Sequence, residues 1–166
     1  KKSEPIYYDE IKTNEFSDIK DIAWAKDAIN ILSKKGIING KGDNLFAPYD
    51  NITREEFASI LVRLLGVDEV SSDINFSDVS DSAWYAKTVK AAVYEGIVMG
   101  KGDGRFGVGE NITRQDMAVM MCRALKAEVL SESDEFADDA DISEYAKSSV
   151  YTMKNKGIIN GFAGVI

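Results

Sequence analysis

An internal repeat of about sixty residues constrains the fold of this chain more than any other feature. The copies are marked by three phenylalanines, Phe16, Phe76 and Phe136. An aspartate follows each phenylalanine two residues later. A Gly-x-x-x-Gly segment also recurs, at 36–40, 96–100 and 157–161. In repeat architectures each copy is one supersecondary unit that cannot bury its apolar face alone. We therefore expect three similar units that share a core.

The second half of each complete copy predicts a helix. The sequence Ile-Thr-Arg-Glu-Glu at 52–56 returns as Ile-Thr-Arg-Gln-Asp at 112–116. Thr53 with Glu56 three residues later forms a capping-box pattern, and Thr113 repeats it with the shorter Asp116. Apolar residues follow at helical spacing, which predicts the core-facing stripes Phe57, Ile60, Leu61, Leu64 and Met117, Met121, Leu125.

Each of these helices carries an arginine in its first turn. The positive end of the helix dipole disfavours a cation there. A guanidinium beside the N–H groups of a helix start can bind an anion. Alternatively, Arg54 and Arg114 pair with a neighbouring carboxylate. The residues alone leave both interpretations open.

The first half of each copy predicts another helix. In the first copy it spans 22–35, with Asp21 as its cap and Gly36 as the left-handed residue after its end. One apolar face would hold Trp24, Ala28, Ile29 and Leu32. We expect tryptophans at this position to be at least partly buried, as Trp is in most proteins.

These elements predict an all-α protein built from helix-loop-helix units with approximate threefold symmetry around a shared helical core. The boundaries are an N-terminal segment at 1–15, repeats at 16–66 and 76–126, and a partial third repeat at 136–166. In the N-terminal segment, Tyr7, Tyr8 and Ile11 would suit one helical turn. The third copy stops before its loop and second helix, so we expect the chain to be cut from a longer protein.

Composition excludes several functional classes. The net charge is −8 and the pI is about 4.6, which argues against nucleic acid as a partner. There is no histidine, which removes histidine-dependent catalysis and most zinc sites. Cys122, the single cysteine, falls in an apolar helix, which favours a buried side chain. No apolar run reaches the roughly 18 residues of a membrane span.

Two further interpretations of the acidic residues carry less weight. The aspartates at 134, 138, 139 and 141 cluster, but they do not match the calcium loop of an EF-hand, so we expect solvated acidic loops and no metal. Paired carboxylates suffice for a glycosidase. Carboxylates in a repeat would give equivalent sites in every copy, whereas one active site is usual. We therefore expect neither catalysis nor a cofactor.

Taken together, the motifs resemble the S-layer homology motif. The similarity covers Phe16 to about Leu125 in two nearly complete copies and continues in a partial third. The resemblance implies a pseudo-trimer with a central helical bundle. It also implies noncovalent anchoring at the bacterial cell surface, with cargo domains elsewhere in a longer parent protein. The implied ligand is a secondary cell-wall polysaccharide linked to peptidoglycan, often carrying a pyruvate ketal. An alternative is a protein-interaction module at the same surface.

The resemblance further implies that motif positions line grooves between adjacent repeats. A pyruvate ketal presents a carboxylate, which suits an arginine at a helix start. The candidate ligand-binding residues are Arg54, Arg114, Trp24, Trp84, Lys41, Lys101, Asp18, Asp78, Gly40, Gly100 and Tyr145. Gly40 and Gly100 are expected to serve backbone geometry. The third copy departs from the motif, because Tyr145 replaces the tryptophan and Phe162 replaces the lysine.

Overall fold

The computed structural model describes residues 16–67, 70, 75–131 and 136–161. Its five α-helices are α1 Ala23–Lys34, α2 Arg54–Leu65, α3 Ala86–Tyr94, α4 Arg114–Ala124 and α5 Glu144–Asn155. A short 3-10 turn, Asp139–Asp141, precedes α5, and no β-strand occurs in the described ranges. The all-α prediction is therefore confirmed. The predicted turn at residues 7–11, and both Asp134 and Phe162, lie outside the described residues.

The chain forms two compact units, Lys1–Asp50 and Asn51–Ile166. The first contains α1 and the loop after it, and the second contains α2 to α5. The boundary falls inside the first repeat because α2 packs against α3 and α4, which belong to the second repeat. In the same way, α4 packs against α5 of the third repeat. A single domain with threefold symmetry stays a prediction.

The end of α1 follows the sequence prediction, but its beginning does not. Gly36 is left-handed with φ of 69°, and the N–H of Ile37 donates to the carbonyl of Leu32 to close the helix. Gly96 and Gly157 end the equivalent helices with φ of 72° and 68°. At the start, Ile22 occupies the cap position without a side-chain hydrogen bond, so the prediction for Asp21 was wrong.

The core of the first unit excludes its tryptophan. Buried phenylalanine and isoleucine side chains form this core: Phe16, Ile19, Ile22 and Ile29. Phe46 packs against them, with its ring centroid 5.5 Å from that of Phe16. Trp24 is 90% exposed and Ala28 is also exposed, so the predicted apolar face was only partly right. Trp84, in the second unit, is 61% exposed, so the expected partial burial holds for Trp84 and was wrong for Trp24.

The buried faces of α2 and α4 also differ from the predicted stripes. Leu61 is buried as predicted, but Leu64 and Leu125 are 50% and 49% exposed. Because each helix packs against two others, the small residues Ala58 and Ala118 are fully buried. The main cluster joins α2, α3, α4 and the loop residue Phe106. Cys122 is buried between α4 and α5, as predicted.

Polar groups also join α2 to α3. Ser59 is fully buried, and its hydroxyl lies 2.8 Å from that of Thr88. Thr88 donates its own proton to the carbonyl of Tyr85, so Ser59 must be the donor between the two hydroxyls. Both hydroxyl protons are thereby used, which removes the cost of burying Ser59 in an apolar interface. None of the helices in the described ranges is long and apolar enough to cross a membrane.

Candidate functional site

The starts of α2 and α4 lie side by side. The N–H of Arg54 donates to the carbonyl of Glu110 at 2.9 Å, and the N–H of Ile112 donates to the carbonyl of Ile52 at 3.0 Å. The predicted capping box is confirmed at α2: Thr53 Oγ1 accepts from the N–H of Glu56, whose carboxylate accepts from the N–H of Thr53. Two N–H groups of the first turn, those of Arg54 and Glu56, therefore already have partners inside the protein.

The guanidinium of Arg54 is buried in spite of its charge. Only 9% of the residue is exposed, and Nη2 donates to the carbonyl of Met99 at 3.1 Å. The guanidinium carbon lies 5.4 Å from the ring centroid of Phe106, within cation–π range. No described carboxylate pairs with Arg54, so the ion-pair alternative is wrong for this residue. Its buried Nε has no hydrogen-bond partner among the described residues.

Arg114 repeats this contact one copy later. Its Nη2 donates to the carbonyl of Asn160 at 3.1 Å, and Asn160 occupies the position of Met99 in the next Gly-x-x-x-Gly segment. Each arginine thus reaches from the second helix of one repeat to the following repeat. The two differ in burial, because Arg114 is exposed.

A groove of about 410 Å³ opens beside Arg54. Its walls come from all three repeats: Arg54, Met99, Gly100, Lys101, Asp116, Val119, Met120, Arg123 and Tyr145. Four of these were candidate residues in the sequence: Arg54, Gly100, Lys101 and Tyr145. The other five were missed. Four of these five had one available signal in the sequence, which is the helical spacing that places Asp116, Val119, Met120 and Arg123 on a single face of α4.

Cations outnumber anions in the lining of this groove. Arg54, Lys101 and Arg123 face one lining carboxylate, that of Asp116. Lys101 is partly compensated, because its Nζ lies 2.7 Å from the carboxylate of Glu110, which Arg105 also approaches at 3.5 Å. The lining of this groove is therefore locally positive in a chain of net charge −8, which favours an anion over a cation there.

Tyr145 lines the groove and is mostly exposed. Its hydroxyl donates to Asp116 Oδ1 at 2.8 Å, while Thr113 Oγ1 donates to the other oxygen of Asp116 at 3.0 Å. Burial and the adjacent Asp116 carboxylate raise the pKa of Tyr145, which keeps its phenol neutral. The carboxylate of Asp116 thus accepts hydrogen bonds from two hydroxyl groups, whereas the carboxylate of Glu56 accepts one from a backbone N–H. The hydrogen bond to Asp116 holds Tyr145, which is 61% exposed, in the lining of the groove.

The motif aspartates, Asp18 and Asp78, accept hydrogen bonds from backbone N–H groups of the loops that follow the first helix of each repeat. Asp78 accepts the N–H groups of Phe106, Gly107 and Val108 at 2.7, 2.8 and 2.9 Å. Burial raises the pKa of this carboxyl, but the three N–H donors outweigh burial and lower it. Asp18 accepts the N–H groups of two residues, Phe46 and Ala47, and the first of these bonds is the main cause of its lowered pKa. Both carboxylates are thus occupied by backbone groups.

The two candidate glycines provide space. A Cβ on Gly100 would lie 2.5 Å from the Phe76 ring and 2.9 Å from the carbonyl oxygen of Arg105. Gly40 has the same relation to Phe16 and to the carbonyl oxygen of Leu45, and its φ is 70°. A side chain does not fit at either position, because the backbone there passes close to a phenylalanine ring and a carbonyl oxygen.

Two tryptophans and a lysine complete the candidate set. Trp84 does not line the groove and packs edge-on against Tyr85, with 5.3 Å between ring centroids. Trp24 and Lys41 belong to the first unit, together with Asp18 and Gly40. The groove of the second unit therefore gathers only part of the predicted set.

Comparison with known proteins identifies the repeats. The S-layer homology domain matches residues 15–58 and 75–118. The chain is 32% identical over 89% of its length to the Surface-layer 125 kDa protein of Lysinibacillus sphaericus, of which it spans 12%. It is 33% identical over 75% of its length to the Cellulosome-anchoring protein of Acetivibrio thermocellus, of which it spans 30%.

Some relatives are named as enzymes. The chain is 37% identical over 90% of its length to Exoglucanase XynX of Acetivibrio thermocellus, but it spans only 14% of that protein. The shared part contains the S-layer homology repeats of this chain, and surface proteins without an enzyme name share them too. Both repeat matches and these surface relatives assign the chain to the bacterial cell surface. The chain therefore belongs to the S-layer homology domain family and is a cell-surface anchoring module.

Proposed function

We propose that this module anchors its parent protein by binding a secondary cell-wall polysaccharide linked to peptidoglycan. A carboxylate on that polymer, such as a pyruvate ketal, would bind in the groove beside Arg54. The observation that carries the proposal is the Arg54 guanidinium, which is nine-tenths buried, has no carboxylate partner among the described residues and lines a cationic groove. Charge-assisted hydrogen bonds from a guanidinium to a carboxylate are about twice as strong as neutral ones.

The groove is preorganised for such a ligand. The carbonyl of Met99 and the ring of Phe106 hold the Arg54 guanidinium in place, so little side-chain entropy is lost on binding. The exposed ring of Tyr145 offers an apolar face to a sugar ring, and the side chains of Val119 and Met120 line the same groove. The acidic surface elsewhere disfavours nonspecific attachment to anionic polymers.

Arg114 marks a second place for the same chemistry. It makes the equivalent contact to the third repeat, and its guanidinium is exposed. We therefore include it as a second carboxylate contact, with affinity that adds to that of the Arg54 groove. The candidate residues of the first unit, Trp24 and Lys41, are further proposed contacts.

The test is calorimetric titration of the chain with purified wall polysaccharide, intact and with its carboxylate substituent removed. Arg54→Ala should weaken binding to the intact polymer roughly tenfold to a hundredfold, as expected for losing a contact of about 1.5–3 kcal/mol. Arg63→Ala removes the same charge from α2 outside the groove and should leave affinity unchanged. Melting curves verify that each variant is folded.

Equal affinity of the wild-type chain for intact and stripped polymer would overturn the proposal. Binding to walls should also survive protease treatment and disappear when the polysaccharide is extracted. The opposite result, loss on protease treatment alone, would favour a protein partner at the cell surface.

A further inference from the structure

We infer that Arg123 is a second anion-binding residue of the Arg54 groove and that it determines how the ligand lies there. This inference rests on the proposed function of the groove. It also makes the ligand more specific: a glycan segment with two acidic groups should bind better than one with a single acidic group.

The position of Arg123 follows from the face of α4 that lines the groove. Asp116, Val119, Met120 and Arg123 have the spacing i, i+3, i+4 and i+7, so they form one stripe along the helix. Seven residues of α-helix rise about 10 Å, which separates Asp116 from Arg123 along the groove. The buried side chains of Val119 and Met120 lie between these two charged positions.

The charges at the two ends of this stripe are opposite. At one end, the carboxylate of Asp116 accepts from Tyr145 and Thr113, and it would repel a second carboxylate placed there. At the other end, the exposed guanidinium of Arg123 has no hydrogen-bond or ion-pair partner among the described side chains. With a first carboxylate bound at Arg54, a second acidic group is therefore favoured near Arg123 and disfavoured near Asp116, which gives a bound glycan a direction.

Arg123 is also the least compensated cation of the groove. Lys101 is held by the carboxylate of Glu110 at 2.7 Å, and Arg54 already donates to the carbonyl of Met99. A carboxylate bound at Arg54 leaves the charge of Arg123 available for a second acidic group. Because Arg123 is exposed, ligand binding at this position requires no rearrangement of the core.

The experiment uses two synthetic disaccharides that differ only in carrying one or two pyruvate-ketal carboxylates. The wild-type chain should bind the two-carboxylate disaccharide about tenfold more tightly. Arg123→Gln should abolish this difference, because it should weaken binding of the two-carboxylate disaccharide about tenfold more than binding of the one-carboxylate disaccharide. Arg63→Gln is the matched control, because Arg63 occupies the same position in the first repeat and lies outside the groove. Arg123→Lys should restore part of the preference.

The outcomes separate this inference from the proposed function. If Arg54→Ala weakens binding of both probes while Arg123→Gln preserves the preference for two carboxylates, only the role of Arg123 is wrong. If the wild-type chain does not distinguish the probes, the role of Arg123 is also overturned. If neither probe binds, or if Arg54→Ala has no effect on either, both proposals are overturned. The melting temperature of each variant tests whether a loss of binding comes from unfolding. Because Arg123 is a surface residue, Arg123→Gln should melt close to the wild type.

Discussion

Replacement of Asp78 by asparagine should destabilise the second unit. The carboxylate receives three consecutive backbone N–H groups from the loop at 106–108, at 2.7 to 2.9 Å. Phe106 is fully buried in the core and also supports the guanidinium of Arg54. An asparagine keeps one acceptor oxygen and brings an NH₂ group towards N–H donors, so part of this loop loses its hydrogen bonds.

The size of the effect follows from the number and type of these bonds. A hydrogen bond to a charged group contributes about 1.5–3 kcal/mol. The three share one partly buried carboxylate, and one acceptor remains in asparagine, so we expect a total loss of roughly 2–3 kcal/mol. For a protein of this size, that corresponds to a fall of roughly 5–10 °C in melting temperature.

The pH dependence of this loss is a second measurement. The folded-state pKa of Asp78 is lowered, so its stabilisation is fully present above the ordinary aspartate pKa of about 3.9. It disappears as the pH falls through the lower folded-state value. The difference in melting temperature between wild type and Asp78→Asn should therefore be constant from pH 7 to about pH 5 and shrink towards pH 3. Circular dichroism melts at each pH provide this difference.

Asp81→Asn is the matched control. Asp81 lies three residues further on and also has a lowered pKa, caused by its hydrogen bond to Lys90, but its side chain is 81% exposed. Exposed ion pairs contribute little, so this variant should melt close to the wild type. The reasoning is refuted if the two variants are equally stable, or if the Asp78→Asn difference does not change with pH.

Two other substitutions test the local structure. Thr53→Ala removes the capping box of α2 and should cost about 1 kcal/mol in chemical denaturation, whereas Thr53→Ser should retain most of the stability; an unchanged Thr53→Ala midpoint would contradict the observed cap. Gly100→Ala should cost about 1–3 kcal/mol, because its Cβ would meet the Arg105 carbonyl oxygen at 2.9 Å. Wild-type stability of Gly100→Ala would show that the loop at 100–105 moves without cost.

The sequence was sufficient for the elements that depend on neighbouring residues. The repeat period predicted paired helices in each complete copy, and Thr53 correctly marked the start of α2. Gly36, Gly96 and Gly157 correctly marked helix ends, because a left-handed residue closes the last turn. Caps of this kind involve residues a few positions apart, so the sequence pattern contains all the participants. Asp21 was the exception, since burial of Ile22 in the core fixed the start of α1.

Contacts between residues far apart in the chain determined which side chains are buried and which groups the motif aspartates bind. Which face of α4 became core depended on its packing against both α2 and α5, so Ala118 was buried and Leu125 was exposed. The exposure of Trp24 and Trp84 was likewise set by their surroundings and not by residue type. Asp18 and Asp78 were grouped with ligand residues, yet their partners are backbone groups 28 to 30 positions away.

The groove combines a feature that the local sequence predicts with features that only tertiary packing determines. The sequence identified Arg54 as unusual, because a cation in the first turn of a helix opposes the helix dipole. Only the folded chain brings Lys101, Arg123 and Tyr145 to the same place, from three separate segments. Local sequence determines where a helix begins and ends, because the hydrogen bonds involved are local. Packing between repeats determines which side chains share a cavity, because those contacts depend on distances that no single segment specifies.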